Sequence, residues 1–275
     1  MKVHHRSSAI LKALVYIAAY FTVALVSSII GYILITGIPK LKPSLFAFKY
    51  TSENCSMFPS IVNTFIMIVL SLLFALPIGI FSALFLTEYA KRGAKYVKLV
   101  RMMAETLSGI PSIVYGLFGY IFFNIKLGWG YSLLSGALTL SMMILPLIMR
   151  SSEEALIATP DSYREGSYGL GAGKVKTIFS ILLPSALPGI FAGVVLAIGR
   201  IVGETAALIF TSGTVAGIPK NILGSGRTLA IHMYVLMSEG LHMDEAKGVA
   251  VVLLLLVLLL NFASRRLQKG LNKNE

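Results

Sequence analysis

Charged side chains are scarce in this chain, and their scarcity excludes a soluble globular protein. Asp, Glu, Lys and Arg make up 13% of the 275 residues, whereas 56% of the residues are hydrophobic. Soluble domains carry roughly a quarter charged residues. The mean hydropathy of +0.81 agrees with this contrast. We therefore expect an integral membrane protein.

Cysteine is almost missing, and the common nucleotide-binding loop is missing altogether. Cys55 is the single cysteine, so neither an intrachain disulfide nor a cysteine-based metal cluster can form. No Gly-x4-Gly-Lys-Ser/Thr loop is present to cradle ATP phosphates, so energy must come from a partner protein or a gradient. No His-rich or carboxylate-paired membrane face supports the alternative of a membrane enzyme.

Long apolar runs fill most of the sequence. Five of them contain no charged residue, and a sixth is interrupted only by Glu105. Most approach or exceed the ~20 residues that a helix needs to cross a bilayer. The sequence therefore predicts an all-α, polytopic membrane protein with six transmembrane helices. The apolar runs that these spans contain are Ala13–Thr36, Asn54–Thr87, Met102–Asn124, Leu127–Met149, Thr177–Gly199 and Gly248–Ser264.

The surplus of basic residues has a topological explanation. Lys and Arg number 24 against 12 Asp and Glu, a net charge of +12 that alone would suggest a nucleic-acid partner. However, 16 of the 24 lie in segments that all face the cytoplasm if the N-terminus does, namely 1–12, 91–101, 150–176 and 265–273. The positive-inside rule then places both termini in the cytoplasm. No nucleic-acid partner is expected.

A polar island interrupts the apolar sequence between the fourth and fifth predicted spans. Its run Thr159–Asp161 is a helix start, with a hydroxyl cap, proline at the first helical position and a carboxylate near the positive end of the helix dipole. Three glycines between 169 and 173 should end that helix, and Lys174–Leu183 should begin a second one. We expect a helix, a glycine turn and a second helix on the cytoplasmic side.

Two charged residues lie near the outer end of the fifth predicted span. Arg200 suits an oxyanion because its planar fork offers two donors and never loses its charge. Glu204, four residues later, should share its helix face and can pair with it. Glu204 can also accept the proton that hydrogen phosphate carries and sulfate lacks. An ion pair that only fixes helix packing is the alternative.

The island resembles the "EAA" loop of bacterial ABC-importer permeases, whose pattern is E-A-A, three residues, G, nine residues, I-x-L-P. The matching residues are Glu165, Gly166, Ser167, Gly171, Ile181, Leu183 and Pro184. Gly166 and Ser167 replace the two alanines, a small-for-small change. The resemblance implies that Asp161–Leu170 is a coupling helix inserted into a cleft on an ATPase, and that Glu165 pairs with a basic group there. Gly171 would allow the tight turn.

The run Gly199–Ala206, together with Ile110–Leu117, looks like the phosphate-specific branch of the type I importer permeases, and the resemblance covers about 61–262. The stretches Arg227–Tyr234 and Glu239–His242 favour the PstA type over the PstC type. The resemblance implies a type I ABC importer permease fold and a permease subunit that translocates inorganic phosphate without catalytic residues or a metal. It also divides the chain into an N-terminal tail, first helix and outer loop (1–60), a permease core (61–264) and a basic cytoplasmic tail (265–275).

The same resemblance implies the partners. They are a second permease subunit of the PstC type, an ATPase dimer that binds ATP and Mg in place of this chain, and an extracytoplasmic phosphate-binding protein, all at the cell membrane and its lipid bilayer. Two alternatives stay open. A permease for another oxyanion, such as sulfate or molybdate, would be expected to lack the pair of Arg200 and Glu204. A gradient-driven carrier that works alone would not need the island.

Overall fold

The computed structural model describes residues 3–91 and 93–271, and these residues form helices joined by short turns. Within the described ranges there is no β-strand. The helices are α1 (Val3–Gly37), α2 (Phe58–Leu84), α3 (Lys95–Ser108), α4 (Ser112–Gly119), α5 (Leu133–Ala158), α6 (Asp161–Gly169), α7 (Lys174–Thr177), α8 (Leu183–Gly203), α9 (Ala206–Thr211), α10 (Leu229–Glu239) and α11 (Met243–Leu271). The predicted all-α class is confirmed.

Five helical stretches in the described ranges are long and apolar enough to cross a membrane, and a bent pair of helices supplies a sixth. The straight ones are Leu11–Lys40, Phe58–Tyr89, Leu133–Ala158, Lys174–Gly203 and Met243–Ser264. They extend past the predicted bounds mainly at polar ends, where the helix continues although the apolar run has stopped. The count of six is met only if the bent pair is taken as one span.

The third predicted span is wrong as a continuous helix over Met102–Asn124. Lys95–Ser108 and Ser112–Lys126 meet at an angle of 96°. Pro111 has no N–H and disfavours the helical conformation of Ile110 before it, so the helix ends there. The Tyr115 hydroxyl donates to the carbonyl of Leu107 at 2.9 Å and so links the two sides of the break.

The core lies between α2, α5 and α8. Its buried side chains include Met67 on α2, Leu140 and Ile144 on α5, and Ile201 on α8. Small residues allow the closest approaches. A Cβ added to Gly116 of α4 would lie 2.7 Å from the Cα of Ala207, so α4 and α9 pack backbone against backbone.

The first helix stands apart from this core. The most apolar part of the Leu11–Lys40 stretch is entirely unburied by the rest of the chain. α1 meets α11 at Gly37, where an added Cβ would lie 2.5 Å from the side chain of Val251. Its apolar surface is therefore available to lipid or to another subunit.

Gly116→Ala should destabilise the fold, because the new methyl group would overlap backbone atoms of Ala207 that cannot rotate away. Overpacking of this kind costs about 1–3 kcal/mol. Denaturant unfolding of the purified subunit in detergent measures the effect. Gly31→Ala is the matched control, since its added Cβ has no neighbour within 4 Å. Equal stabilities of the two variants would contradict the close packing of α4 and α9.

Candidate functional site

The polar island folds as predicted, into a short helix, a glycine turn and a second helix. α6 covers Asp161–Gly169, and α7 begins at Lys174. Gly171 has φ +80°, in the left-handed region that favours glycine. Its N–H donates to the carbonyl of Tyr168 at 2.9 Å, which closes the turn.

The two residues at the alanine positions of the motif play different structural parts. Ser167 is buried, and its hydroxyl is 2.8 Å from that of Thr177, so it joins α6 to α7. Gly166 is exposed, and an added Cβ there would have no neighbour within 4 Å. Among the residues that the structure describes, the second of the two positions is held in a close contact and the first is not.

The outward surface of α6 is open to a partner. Glu165 is exposed and makes no hydrogen bond or ion pair within the described part of the chain. Beside it lie the exposed rings of Tyr163 and Tyr168, and Leu170 is 91% exposed. A carboxylate among exposed apolar groups suits a mixed protein–protein contact.

Ile181, Leu183 and Pro184 lie away from that surface, at the start of α8. Ile181 belongs to one wide helical turn, Ile178–Leu182, and is half-buried. Leu183 packs against the buried cluster that includes Leu156 and Leu182. Pro184 is exposed at the start of α8, directly after that wide turn. These residues belong to the helix that leads into α8 and are not part of the exposed surface of α6.

Arg164, the residue before Glu165, was missed by the sequence reasoning. Its Nη2 lies 2.7 Å from Glu88 Oε1, and its Nη1 and Nη2 donate to the carbonyls of Thr159 and Leu156 at 3.0 and 3.2 Å. The hydrogen bond to Glu88 is the main reason that the pKa of Arg164 is raised above its ordinary value. The partners are 76 positions apart, and the sequence offers only the lone acidic residue Glu88 near the end of the second span as a signal.

A second ion pair at the same end of the bundle joins α3 to α5. Arg101 Nη2 lies 2.5 Å from Glu153 Oε1. Glu105, inside the predicted third span, is exposed and lines a pocket of about 240 Å³ with this pair. The break at Pro111 therefore places Glu105 on α3, outside the apolar segment Ser112–Lys126.

Arg200 and Glu204 are not paired as predicted. α8 ends at Gly203, and Glu204 has extended backbone angles, so the two residues do not share a helix face. Glu204 Oε1 instead accepts the N–H of Ala207 at 3.1 Å, which caps the start of α9. A carboxylate at a helix N-terminus also faces the positive end of the dipole.

Arg200 is left half-buried in the last turn of α8, with no hydrogen bond or ion pair within the described residues. The glycines at 199 and 203 leave open space on either side along the helix. The Tyr115 hydroxyl of α4 lies within electrostatic reach of the guanidinium. The donors of Arg200 are therefore free for a ligand.

At the far end of the bundle from α6, the stretch around α10 forms a buried polar cluster. His232 is fully buried, and its Nε2 lies 3.1 Å from the carbonyl of Cys55. Asn63 donates to the carbonyls of Gly217 and Arg227, which holds the preceding loop against α2. Residues of Arg227–Tyr234, the stretch that favoured the PstA type in the sequence, thus form contacts between the loop, α2 and α10.

The chain is similar to known transport proteins. The family model for the binding-protein-dependent transport system inner membrane component matches residues 75–274. The chain is 33% identical over 270 residues to the probable ABC transporter permease protein YqgI of Bacillus subtilis (strain 168), with 90% of each chain covered. It is 34% identical over 193 residues to the phosphate transport system permease protein PstA 1 of Mycobacterium tuberculosis (strain CDC 1551 / Oshkosh), which covers 69% of this chain and 63% of that one.

Among solved structures, a chain of a bacterial alginate ABC transporter superposes on this one with a TM-score of 0.66. That transporter was crystallised in complex with an alginate pentasaccharide-bound periplasmic protein. The alignment covers 96% of each chain at 22% identity, so the likeness concerns the fold alone. The predicted type I importer permease fold is confirmed.

Acid should weaken the α10 end of the bundle through His232. Burial is the main cause that lowers the pKa of His232 from 6.5 to about 3. Between these values the unfolded chain binds a proton that the folded chain cannot, so stability falls as the pH falls below 6.5. From pH 7 to pH 5 we expect a loss of about 2 kcal/mol, at 1.36 kcal/mol per pH unit below 6.5.

Unfolding of the purified subunit in detergent at the two pH values measures this loss. His232→Gln has no titrating ring, so its stability should fall by about 2 kcal/mol less over the same interval. The same pH dependence in both proteins would contradict the assignment.

Proposed function

The chain belongs to the family of binding-protein-dependent transport system inner membrane components, and we propose that it imports inorganic phosphate. It is a multi-pass permease subunit of an ABC importer in the cell membrane, and ATP hydrolysis belongs to a separate partner subunit. The observation that carries the choice of cargo is Arg200, whose guanidinium lies in a membrane span without a carboxylate partner among the described residues.

An unpaired arginine in a membrane span needs a reason to be there. On insertion scales it costs about 2.5–3.5 kcal/mol at the bilayer centre, so such residues face a bundle interior or a wet path. A guanidinium offers phosphate two parallel, charge-assisted hydrogen bonds. We assign Arg200 as a transient counter-ion for phosphate on a path along α8.

In this proposal Glu204 does not pair with Arg200 but has a separate role beside it. Its carboxylate caps α9 and so fixes the turn that follows Arg200. A hydrogen phosphate at Arg200 would donate a hydrogen bond to the same carboxylate, whereas sulfate has no proton to share at neutral pH. This difference would favour phosphate over sulfate.

The partners follow from the family and the exposed surface of α6. We propose that Asp161–Leu170 docks on the ATPase, with Glu165 against a basic group there. ATP and Mg would be bound by that ATPase dimer. A PstC-type permease subunit and an extracytoplasmic phosphate-binding protein would complete the importer, with both termini of this chain in the cytoplasm.

A permease for a sulfate-class oxyanion is the second candidate. Its support is that Arg200 and Glu204 form no ion pair, and a free guanidinium fork binds any tetrahedral oxyanion. YqgI, which is 33% identical to this chain, is described only as a probable ABC transporter permease. Competition between phosphate and sulfate for uptake separates the two candidates.

Arg200→Gln should reduce phosphate uptake by at least 100-fold while the importer still assembles, because the amide keeps two polar groups but carries no charge. Uptake of radioactive phosphate into cells that depend on this importer measures the effect. Lys247→Gln removes a partly exposed charge near the start of α11, where Lys247 pairs with Asp244, and should leave uptake within twofold. Normal uptake by Arg200→Gln would remove Arg200 from the path.

Glu165→Ala should weaken the contact with the ATPase, because the exposed carboxylate would lose its basic partner. Loss of one partner of a charge pair at an interface costs about 2–5 kcal/mol when the pair is buried in the complex. The measurements are recovery of the ATPase on co-purification and the number of ATP molecules hydrolysed per phosphate taken up. If neither changes, Glu165 is not part of the docking contact.

A further inference from the structure

The ion pair of Arg164 and Glu88 links the exposed coupling helix to the second span, and we propose that it is a strut for energy coupling. In this role both are positioning residues, which pass a displacement of α6 to α2. The inference rests on the proposed docking of α6 on an ATPase. It is independent of which oxyanion is carried.

The pair is enclosed and short. The Arg164 side chain is 17% exposed and that of Glu88 is 6% exposed. Nη2 and Nε of Arg164 lie 2.7 and 3.2 Å from the same oxygen, Glu88 Oε1. A pair held away from water is screened little by salt, so it resists separation more than an exposed pair does.

The same guanidinium also holds the end of α5. It donates to the carbonyls of Leu156 and Thr159, which lie in and just after the last turn of that helix. The carbonyl of Leu156 also accepts the N–H of Thr159 at 3.4 Å, and both carbonyls lie at the negative end of the helix dipole. One side chain of α6 therefore contacts the ends of two spans at once.

Glu88 lies at the end of a continuous helical span. α2 passes without a break into one wide turn, Phe85–Tyr89, and the N–H of Ala90 donates to the carbonyl of Phe85 at 2.9 Å. Together they form a 32-residue span. Wide turns of this i to i+5 type are frequent at functional sites. A force applied at Glu88 acts on the whole of this span.

Few other contacts connect α6 to α2. The close neighbours of α6 in the fold are α7 and the wide turn Ile178–Leu182. An open cleft of about 780 Å³, lined by both Glu88 and Arg164, lies beside the ion pair. The pair and its carbonyl contacts thus join α6 to the second span across this cleft, and the Lys174 ammonium of α7, 4.5 Å from the centroid of the Tyr89 ring, makes a further contact with that span.

α6 is therefore connected to the spans in two separate ways. The bond between Ser167 and Thr177 leads through α7 into α8, which ends next to Arg200. The pair of Arg164 and Glu88 leads into α2 and α5. Movement of α6 would then act on α8 through the first connection and on α2 and α5 through the second, and loss of the strut would remove the second.

The test compares Arg164→Gln, Glu88→Gln and the double variant in the complete importer, reconstituted in liposomes with its binding protein. The readout is the number of oxyanions imported per ATP hydrolysed, with whichever of phosphate or sulfate the wild type imports. Each single variant should lower this ratio at least tenfold while the ATPase still co-purifies. The double variant should be no worse than the worse single variant, because both changes remove one interaction.

Glu154→Gln is the matched control, since it removes an exposed pair with Arg150 on the neighbouring turns of α5. Its ratio should stay within twofold of the wild type. If the neutral variants do not assemble, Arg164→Lys keeps the charge but reaches fewer acceptors, and it should lower the ratio while the complex forms.

A purely structural role predicts something else. Uptake and ATP hydrolysis would then fall together with the amount of assembled complex, and the ratio would not change. That result, additive losses in the double variant, or an equal loss in Glu154→Gln would overturn the strut. Import of sulfate in place of phosphate would defeat the proposed cargo and leave this test intact.

Discussion

A backbone amide within lipid must find a hydrogen-bond partner inside the protein, and this requirement organises the molecule. Continuous helices meet it automatically. Each break in a helix exposes carbonyls and N–H groups, and in this chain polar side chains take them up. The hydroxyl of Tyr115 reaches across the break before α4, Glu204 caps α9, and Asn124 donates to the carbonyls at the end of α9. The irregular segments are thus fixed in place, and the charged residues of the site lie next to them.

Features that depend on a residue's own neighbours in the sequence could be predicted. The lengths of the apolar runs predicted most of the spans. Pro160 and the glycines at 169–173 predicted the helix, turn and helix of the island, because proline and glycine restrict or free their own backbone angles. The motif also led to Glu165, which is exposed. What failed was each inference that assumed a helix would continue: over Gly109–Pro111, and from Arg200 to Glu204. In both places a side chain close in sequence, the Tyr115 hydroxyl or the Glu204 carboxylate, supplies a hydrogen bond where the helix stops.

Arg164 shows a different limit. Its partner Glu88 is remote in sequence, and its other acceptors are backbone carbonyls that carry no sequence signal. The wide turns at 85–89 and 178–182 are equally hidden, since the residues in them are ordinary helix formers. Long-range contacts such as that of Arg164 and Glu88 decide how the island is attached to the spans. The sequence motif predicted only that the island exists.

The bend before α4 has a consequence for the membrane itself. Ser112–Lys126 rises about 22 Å as a helix, whereas the hydrocarbon layer is about 30 Å thick. A short crossing element is accommodated by local thinning of the bilayer or by flanking residues that extend to the headgroups. α4 packs on α9, directly beyond the end of α8 that carries Arg200. The shortest apolar crossing element among the described spans therefore lies beside the end of α8 that carries Arg200, and any local thinning of the bilayer would be centred there.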